Sequence, residues 1–292
     1  MNDIDCPLAD THCHLDLMPE ETLSFLSSDA LSGYPAPSSA LTPSPSLLKA
    51  PETPARLIFV PGVTGAAVFR HANQSSRMSA GLPDNALPEQ WRIYQMTGVH
   101  PGYLTDFNEQ DFRSRTAVLR PFMIGEIGLD RRYEDRFSAD SQEMCLRIQL
   151  AAARDYGIPV SLHVVGRHGA ALRILREFPG LRGILHGFTG SKDLALEYLR
   201  SGFLLGIGPL ILNPEARKLN SALAALAPEN LVTETDAPFM SYYDNGIRKA
   251  ATPEILPLIV RKISELQGRS FEDTAAVVFR NALSLIPQIP EA

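Results

Sequence analysis

Cysteine is scarce in this chain. Cys6, Cys13 and Cys145 are the only three among 292 residues, and an odd set without paired spacing argues against a disulfide framework. A core of this length needs none. Long apolar runs are missing too. No stretch approaches the ~20 residues of a membrane span, and the start, Met1-Asn2-Asp3-Ile4-Asp5, is acidic with no apolar signal core. The expected location is the reducing cytoplasm. Positive charge is not in excess: the formal net charge is −6, which speaks against a broad, sequence-blind grip on nucleic acid. A local basic rim stays open, because Arg131, Arg132 and Arg136 follow one apolar run and Arg248 and Lys249 follow another. Each of these taken singly reads as a solvated helix start or loop. No Gly-x-Gly-x-x-Gly follows the first apolar strand, so a dinucleotide-binding fold has no support.

What is present is ordinary globular composition, 45% hydrophobic and 21% charged. Apolar runs bounded by turn residues read as strands over 8–16, 56–63, 92–99, 121–124, 158–163, 182–188, 202–208 and 230–236. Helices are expected over 20–28, 65–76, 111–119, 138–156, 169–177, 192–200, 214–226 and 252–267, with Ser270 capping a last one. Strands alternating with helices imply a parallel sheet. Eight such repeats at this length imply a closed (β/α)8 TIM barrel occupying 1–292 as one domain. An open, doubly wound sheet is the alternative. Residues 29–55 interrupt the pattern with Pro35, Pro37, Pro43, Pro45, Pro51 and Pro54 among serines. That content sustains neither helix nor central strand and reads as an irregular surface insertion.

Polar residues collect at the C-terminal strand ends, where such barrels build their sites. His12 and His14 share one face of strand one, with Cys13 turned aside. His100 follows strand three, Glu126 follows strand four between two glycines, His163 ends strand five, His186 ends strand six and Asp236 ends strand eight. His168 lies just beyond strand five, and of seven histidines only His71, on an expected helix surface, falls outside this set. Imidazoles with carboxylates suit Zn²⁺, Mn²⁺ or a related divalent ion and are too rich in nitrogen for a Ca²⁺ cage. Six ligands exceed what one tetrahedral ion with an open position needs. Two ions sharing Glu126 fit the count: His12, His14, Glu126 and Asp236 on one, Glu126, His163 and His186 on the other. Such a pair, about 3.5–4 Å apart, clamps the attacking and leaving oxygens of a displacement and activates water. Asp236 then orients that water or accepts its proton. The reaction class is hydrolysis.

Asp-Thr-His-Cys-His-Leu-Asp at 10–16, Gly-Val-His-Pro at 98–101, Gly-Glu-Ile-Gly-Leu-Asp at 125–130, His-Gly-Phe-Thr-Gly at 186–190 and Glu-Thr-Asp-Ala-Pro at 234–238 together resemble the TatD family of metal-dependent deoxyribonucleases. The resemblance runs from about residue 9 to 286. It implies an amidohydrolase-like TIM barrel, two divalent metal ions (Zn, Mg or Mn) on the six ligands above, and hydrolysis of phosphodiesters. The implied partner is DNA, single-stranded or at 3′ ends, or a small phosphodiester. His100 becomes a candidate phosphate contact, and Glu234 is open between supporting the metal ligands and a structural role in strand eight. Departures fall on the substrate side. Where the family has Ser-Arg after the fifth-strand histidine, this chain has Val164-Val165, leaving Arg167 and His168 as the candidate substrate contacts. The family's Arg-Asn-x-Pro segment is here Arg248-Lys249-Ala250-Ala251-Thr252-Pro253, without the asparagine. Two other readings stand beside the nuclease. One is a di-metal hydrolase of a small amide, ester or lactone; the absence of lysine at the fourth-strand exit counts against it. The other is a binding protein that keeps metal for stability alone.

Overall fold

Short aliphatic runs become parallel strands in a computed structural model, which describes residues 6–14, 17–18, 56–62, 91–105, 107–244 and 246–286. The order is β1 (Leu8–Asp10), β2 (Arg56–Val60), β3 (Trp91–Gln95), α1 (Glu109–Leu119), β4 (Ile124–Asp130), α2 (Ala139–Tyr156), β5 (Val160–Val165), α3 (His168–Leu175), β6 (Gly183–Leu185), α4 (Lys192–Arg200), β7 (Phe203–Ile207), α5 (Arg217–Ala224) and β8 (Leu231–Thr233). A hairpin, β9 (Ser241–Asp244) and β10 (Ile247–Ala250), and two helices, α6 (Leu256–Gln267) and α7 (Phe271–Leu283), complete it.

β1-β2-β3 and β4 through β8 form two parallel sheets. Two seams join them. Thr97 N donates to Met123 O at 3.2 Å and Gly125 N to Thr97 O at 2.9 Å, linking β3 to β4; Thr11 N donates to Thr233 O at 2.9 Å and His14 N to Ala237 O at 2.8 Å, linking β8 to β1. The strands therefore close in chain order, as the expected (β/α)8 barrel requires. A small apolar cluster unites Ala9, Leu57, Phe59, Ile184 and Val232 with Phe279 and Ala282 of α7 and Leu285 just beyond it. Strands on opposite sides of a barrel touch only across its axis, so this cluster is the interior, stoppered by α7. The larger cluster, which takes Ile58 and Val60 from the other face of β2, lies between strands and helices.

Helix ends follow their caps. Ser138, Ser191 and Ser270 accept from the backbone N–H three residues on, and Gly157 ends α2 in the left-handed conformation. Strand ends depart from expectation. β1 and β8 stop at Asp10 and Thr233, short of His12 and Asp236, whereas β4 and β5 run past Glu126 and His163. The hairpin at 241–250 was not expected; its turn contains Gly246 at φ 81°. All three cysteines are buried, and burial pushes the Cys145 thiol up to about 12. The helices expected over 20–28 and 65–76, with His71, and the insertion at 29–55 lie outside the described residues. Among the described residues no helix is long and apolar enough to cross a membrane.

Candidate metal centre

Alternation along β4 puts Glu126, Gly128 and Asp130 on one face. The pairing of β4 with β5 shifts register between Ile124 and Ile127. There the backbone turns to Gly62 beyond β2: Gly62 N donates to Gly125 O at 3.0 Å and Glu126 N to Gly62 O at 2.9 Å. β5 passes so close that a Cβ at Gly128 would stand 1.7 Å from His163 O, so only glycine fits.

The two carboxylate oxygens of Glu126 face different neighbours. Oε1 lies 2.7 Å from His163 Nδ1, 3.1 Å from His186 Nε2 and 3.8 Å from His100 Nε2. Oε2 lies 3.6 Å from His12 Nε2 and 3.8 Å from His14 Nε2. Asp236 Oδ1 completes the Oε2 side, 3.9 Å from His12 Nε2 and 3.6 Å from His14 Nε2. Asp236 is placed by a turn rather than by β8. Its φ is 49°, a left-handed conformation that aspartate tolerates, and its N–H donates to His12 O at 2.7 Å.

Burial opposes ionisation of Glu126, but the imidazoles of His12 and His163 outweigh it and hold the carboxyl well below its usual range. Burial is likewise overridden at His186, raised well above the ordinary value by Glu126 and Glu234, and at His163, raised by Glu126 and Asp130. His12 goes the other way: burial and the neighbouring His186 lower it. His100 is pushed down to about 3, chiefly by burial. Its Nδ1 accepts from Gly102 N at 2.9 Å, so the neutral ring carries its proton on Nε2. Asp236 is lowered, burial being outweighed by a hydrogen bond with His14 and by His186 and His12.

Two ligands about 2.1 Å from one ion stand about 3.0 Å apart in an octahedron and about 3.4 Å apart in a tetrahedron. Glu126 Oε1, His163 Nδ1 and His186 Nε2 stand 2.7–3.1 Å apart, including 3.0 Å between the two nitrogens. Both ring nitrogens of His12 are buried without a hydrogen-bond partner, a costly condition unless something else engages them. Donor type, spacing and orphaned nitrogens fit divalent cations. Three groups of donor atoms are close enough for an ion: His12, Glu126 and His186; His12, His14 and Asp236; and His100, Asp130 and His163.

His12, His14, His100, Glu126, His163, His186 and Asp236 are thus brought together. Arg167 and His168 are not part of the cluster. Arg167 pairs with Glu134, in the loop after β4. His168 is turned into the helix layer, its Nδ1 3.0 Å from the Tyr198 hydroxyl of α4; burial and Lys218 lower its pKa. The placement gives His168 a partner in α4 and none among the clustered donors.

Three carboxylates escaped the sequence reading or were left open by it. Asp130, fully buried, accepts from His163 Nε2 at 2.8 Å and from Arg132. Asp10 accepts from Thr235 N at 2.9 Å and Thr235 Oγ1 at 2.6 Å, tying β1 to the Asp236 turn. Glu234 accepts from Gly187 N at 2.6 Å and lies 3.7 Å from His186 Nδ1. The even spacing from Glu126 to Asp130 was the available signal for the first, as was that from Asp10 to His12 for the second.

Comparison with known proteins agrees along the whole barrel. The profile of the family described as "TatD related DNase" matches residues 9–287. An uncharacterized metal-dependent hydrolase of Escherichia coli (strain K12), YjjV, is 29% identical over 287 residues, covering 96% of this chain and 98% of its own. Its crystal structure superposes with a TM-score of 0.71 at 26% identity, over 96% of this chain and 98% of that one. A protein of Musicola paradisiaca (strain Ech703) named 3'-5' ssDNA/RNA exonuclease TatD is 30% identical over 238 residues, 75% of this chain and 88% of its own.

Proposed function

This chain belongs to the family of TatD-related DNases, and from that membership we propose that it is a divalent-metal-dependent phosphodiesterase that cleaves DNA, single-stranded or at 3′ ends. His12, His14, Glu126 and Asp236 would hold one cation, and Glu126, His163 and His186 a second. One observation carries the reading: the two oxygens of Glu126 face separate sets of imidazole nitrogens. The name of the Musicola relative supports the substrate class.

Bound cations of this kind supply Lewis-acid polarisation of the phosphoryl group and activation of water. The chain supplies the rest. Asp236, ionised and with its side chain 20% exposed, is positioned to take the proton of the attacking water at a carboxylate oxygen. His100 directs its Nε2–H toward the Oε1 side, where it would donate to a non-bridging phosphate oxygen. Asp130 accepts the Nε2–H of His163, which fixes the tautomer and leaves Nδ1 as the ligand atom. In this reading residues 1–292 are one catalytic domain with an inserted segment at 29–55, and the enzyme works in the cytoplasm.

The test is cleavage of a labelled single-stranded oligonucleotide by purified protein with Mg²⁺, Mn²⁺ or Zn²⁺, beside a panel of lactones and amides. Cleavage should stop with a chelator and in Asp236→Ala. Undiminished cleavage by that variant, or turnover of lactones or amides with none of phosphodiesters, would sink the proposal.

A further inference from the structure

Single exposed apolar side chains are normal on a protein surface. Phe239 and Tyr103, 64% and 48% exposed, are not scattered. The Phe239 ring meets His14 edge-on at 4.9 Å between centroids, and the Tyr103 ring lies 5.7 Å from His100. Between them the imidazoles run on without a break: His14 to His12 at 5.1 Å, His12 to His186 at 3.8 Å, His186 to His163 at 5.3 Å and His163 to His100 at 4.4 Å. The two exposed rings are therefore the ends of one row of rings crossing the barrel mouth. They are built alike. Tyr103 N donates to His100 O and Phe239 N to Asp236 O, each at 2.9 Å. Each aromatic is thus the fourth residue of a hydrogen-bonded turn whose first residue belongs to the centre.

The flanks carry positive charge. Beyond Phe239, the hairpin pairs Tyr243, 52% exposed, directly with exposed Arg248. At the other end, exposed Arg131, and Arg132 paired with Asp130, precede Tyr133, whose ring also meets His100 at 5.6 Å. Aromatic platforms beside cations suit single-stranded nucleic acid, because every base has a face to stack and every linkage a charge. A paired base has both faces covered by its neighbours in the duplex.

We infer that Phe239 and Tyr103 are stacking platforms for the unpaired bases on either side of the scissile phosphate, so that these two rings select single-stranded ends over duplex. This rests on the phosphodiesterase reading, with the phosphate placed over the imidazole row. The Tyr243–Arg248 pair continues the track for the next nucleotide on the Phe239 side.

The test is fluorescence anisotropy of a labelled, cleavage-resistant phosphorothioate oligothymidylate with metal-loaded protein. Phe239→Ala and Tyr103→Ala should each raise Kd about tenfold, the scale of one lost base stack, with metal content unchanged. Phe239→Trp should bind like wild type. On a strand whose bases beside the cleaved linkage are replaced by abasic residues, the alanine variants and wild type should bind equally. Unchanged affinity in both alanine variants, the same loss on the abasic strand, or equal affinity for a matched duplex would overturn the inference. Hydrolysis of bis(4-nitrophenyl) phosphate by the wild-type protein separates the two readings. Turnover without ring-dependent strand binding sinks the platforms alone. Ring-dependent strand binding without any turnover sinks the phosphodiesterase and leaves a single-strand binding site.

Discussion

On the Oε1 side of Glu126 this oxygen, His163 Nδ1 and His186 Nε2 stand 2.7–3.1 Å apart; on the Oε2 side the donor atoms stand 3.6–3.9 Å apart. The tight side favours protonated imidazoles. His163 and His186 are both raised, and His163 also reaches Asp130 at 2.8 Å. On the loose side His12 is lowered and its ring nitrogens have no hydrogen-bond partner. A cation entering the tight side must displace protons, whereas one entering the loose side finds a free lone pair on His12. The two halves of one centre should therefore differ in their response to pH.

The largest effect that would break this comparison is expected from Glu126→Gln. Under the proposed two-ion reading it should lower phosphodiester turnover by about four orders of magnitude, because it would weaken both halves of the clamp. Metal analysis should show both cations reduced; loss of one alone would mean that Glu126 does not bridge.

Next comes pH. A raised imidazole contributes stability that is present below its unfolded value of about 6.5 and is lost as pH rises through its higher folded value. The metal-free protein should thus gain stability from His163 and His186 on acidification, while protons compete with the cation on that side. Metal titration should find two cations per chain at pH 8 and one at about pH 5.5, with the metal-induced rise in Tm shrinking in step. Simultaneous loss of both cations would erase the distinction between the sides.

Asp130→Asn sharpens the comparison. It replaces the charged acceptor that orients His163 with a neutral amide, and should weaken one class of cation by about 10–100-fold while sparing the other. A titration in which both classes weaken equally would contradict it.

The smallest effect is Gln142→Ala. Gln142 of α2 accepts from Asp130 N at 2.7 Å and donates to Asp130 O at 3.1 Å, so its loss should cost about 1–3 kcal/mol of stability. Denaturant titration checks this, and metal stoichiometry should not change.

The barrel was legible because apolar runs and capped helices alternate along the chain, and Ser138, Gly157, Ser191 and Ser270 mark their ends with local chemistry. Strand limits were not. β1 stops before His12 because Asp10 is drawn to Thr235, more than two hundred residues away, and β4 outruns Glu126 because Gly62 takes up the backbone bonds at its register shift. His168 looked like its neighbours in sequence, but which partner its ring meets, here the Tyr198 hydroxyl of α4, depends on how the next helices pack. Asp130 stood in plain view four residues from Glu126, yet a carboxylate on a strand declares no function until a histidine from the next strand meets it.

By itself, then, the sequence determined that strands and helices would alternate and that imidazoles and carboxylates would gather at one end of the strands, since both depend on residue type and short-range spacing. Only the tertiary structure decided that Glu126 offers one oxygen to each set of imidazoles and that the two sets differ in tightness. Those distances are set by how eight strands close on one another, and barrel closure is a sum of contacts between residues far apart in the chain.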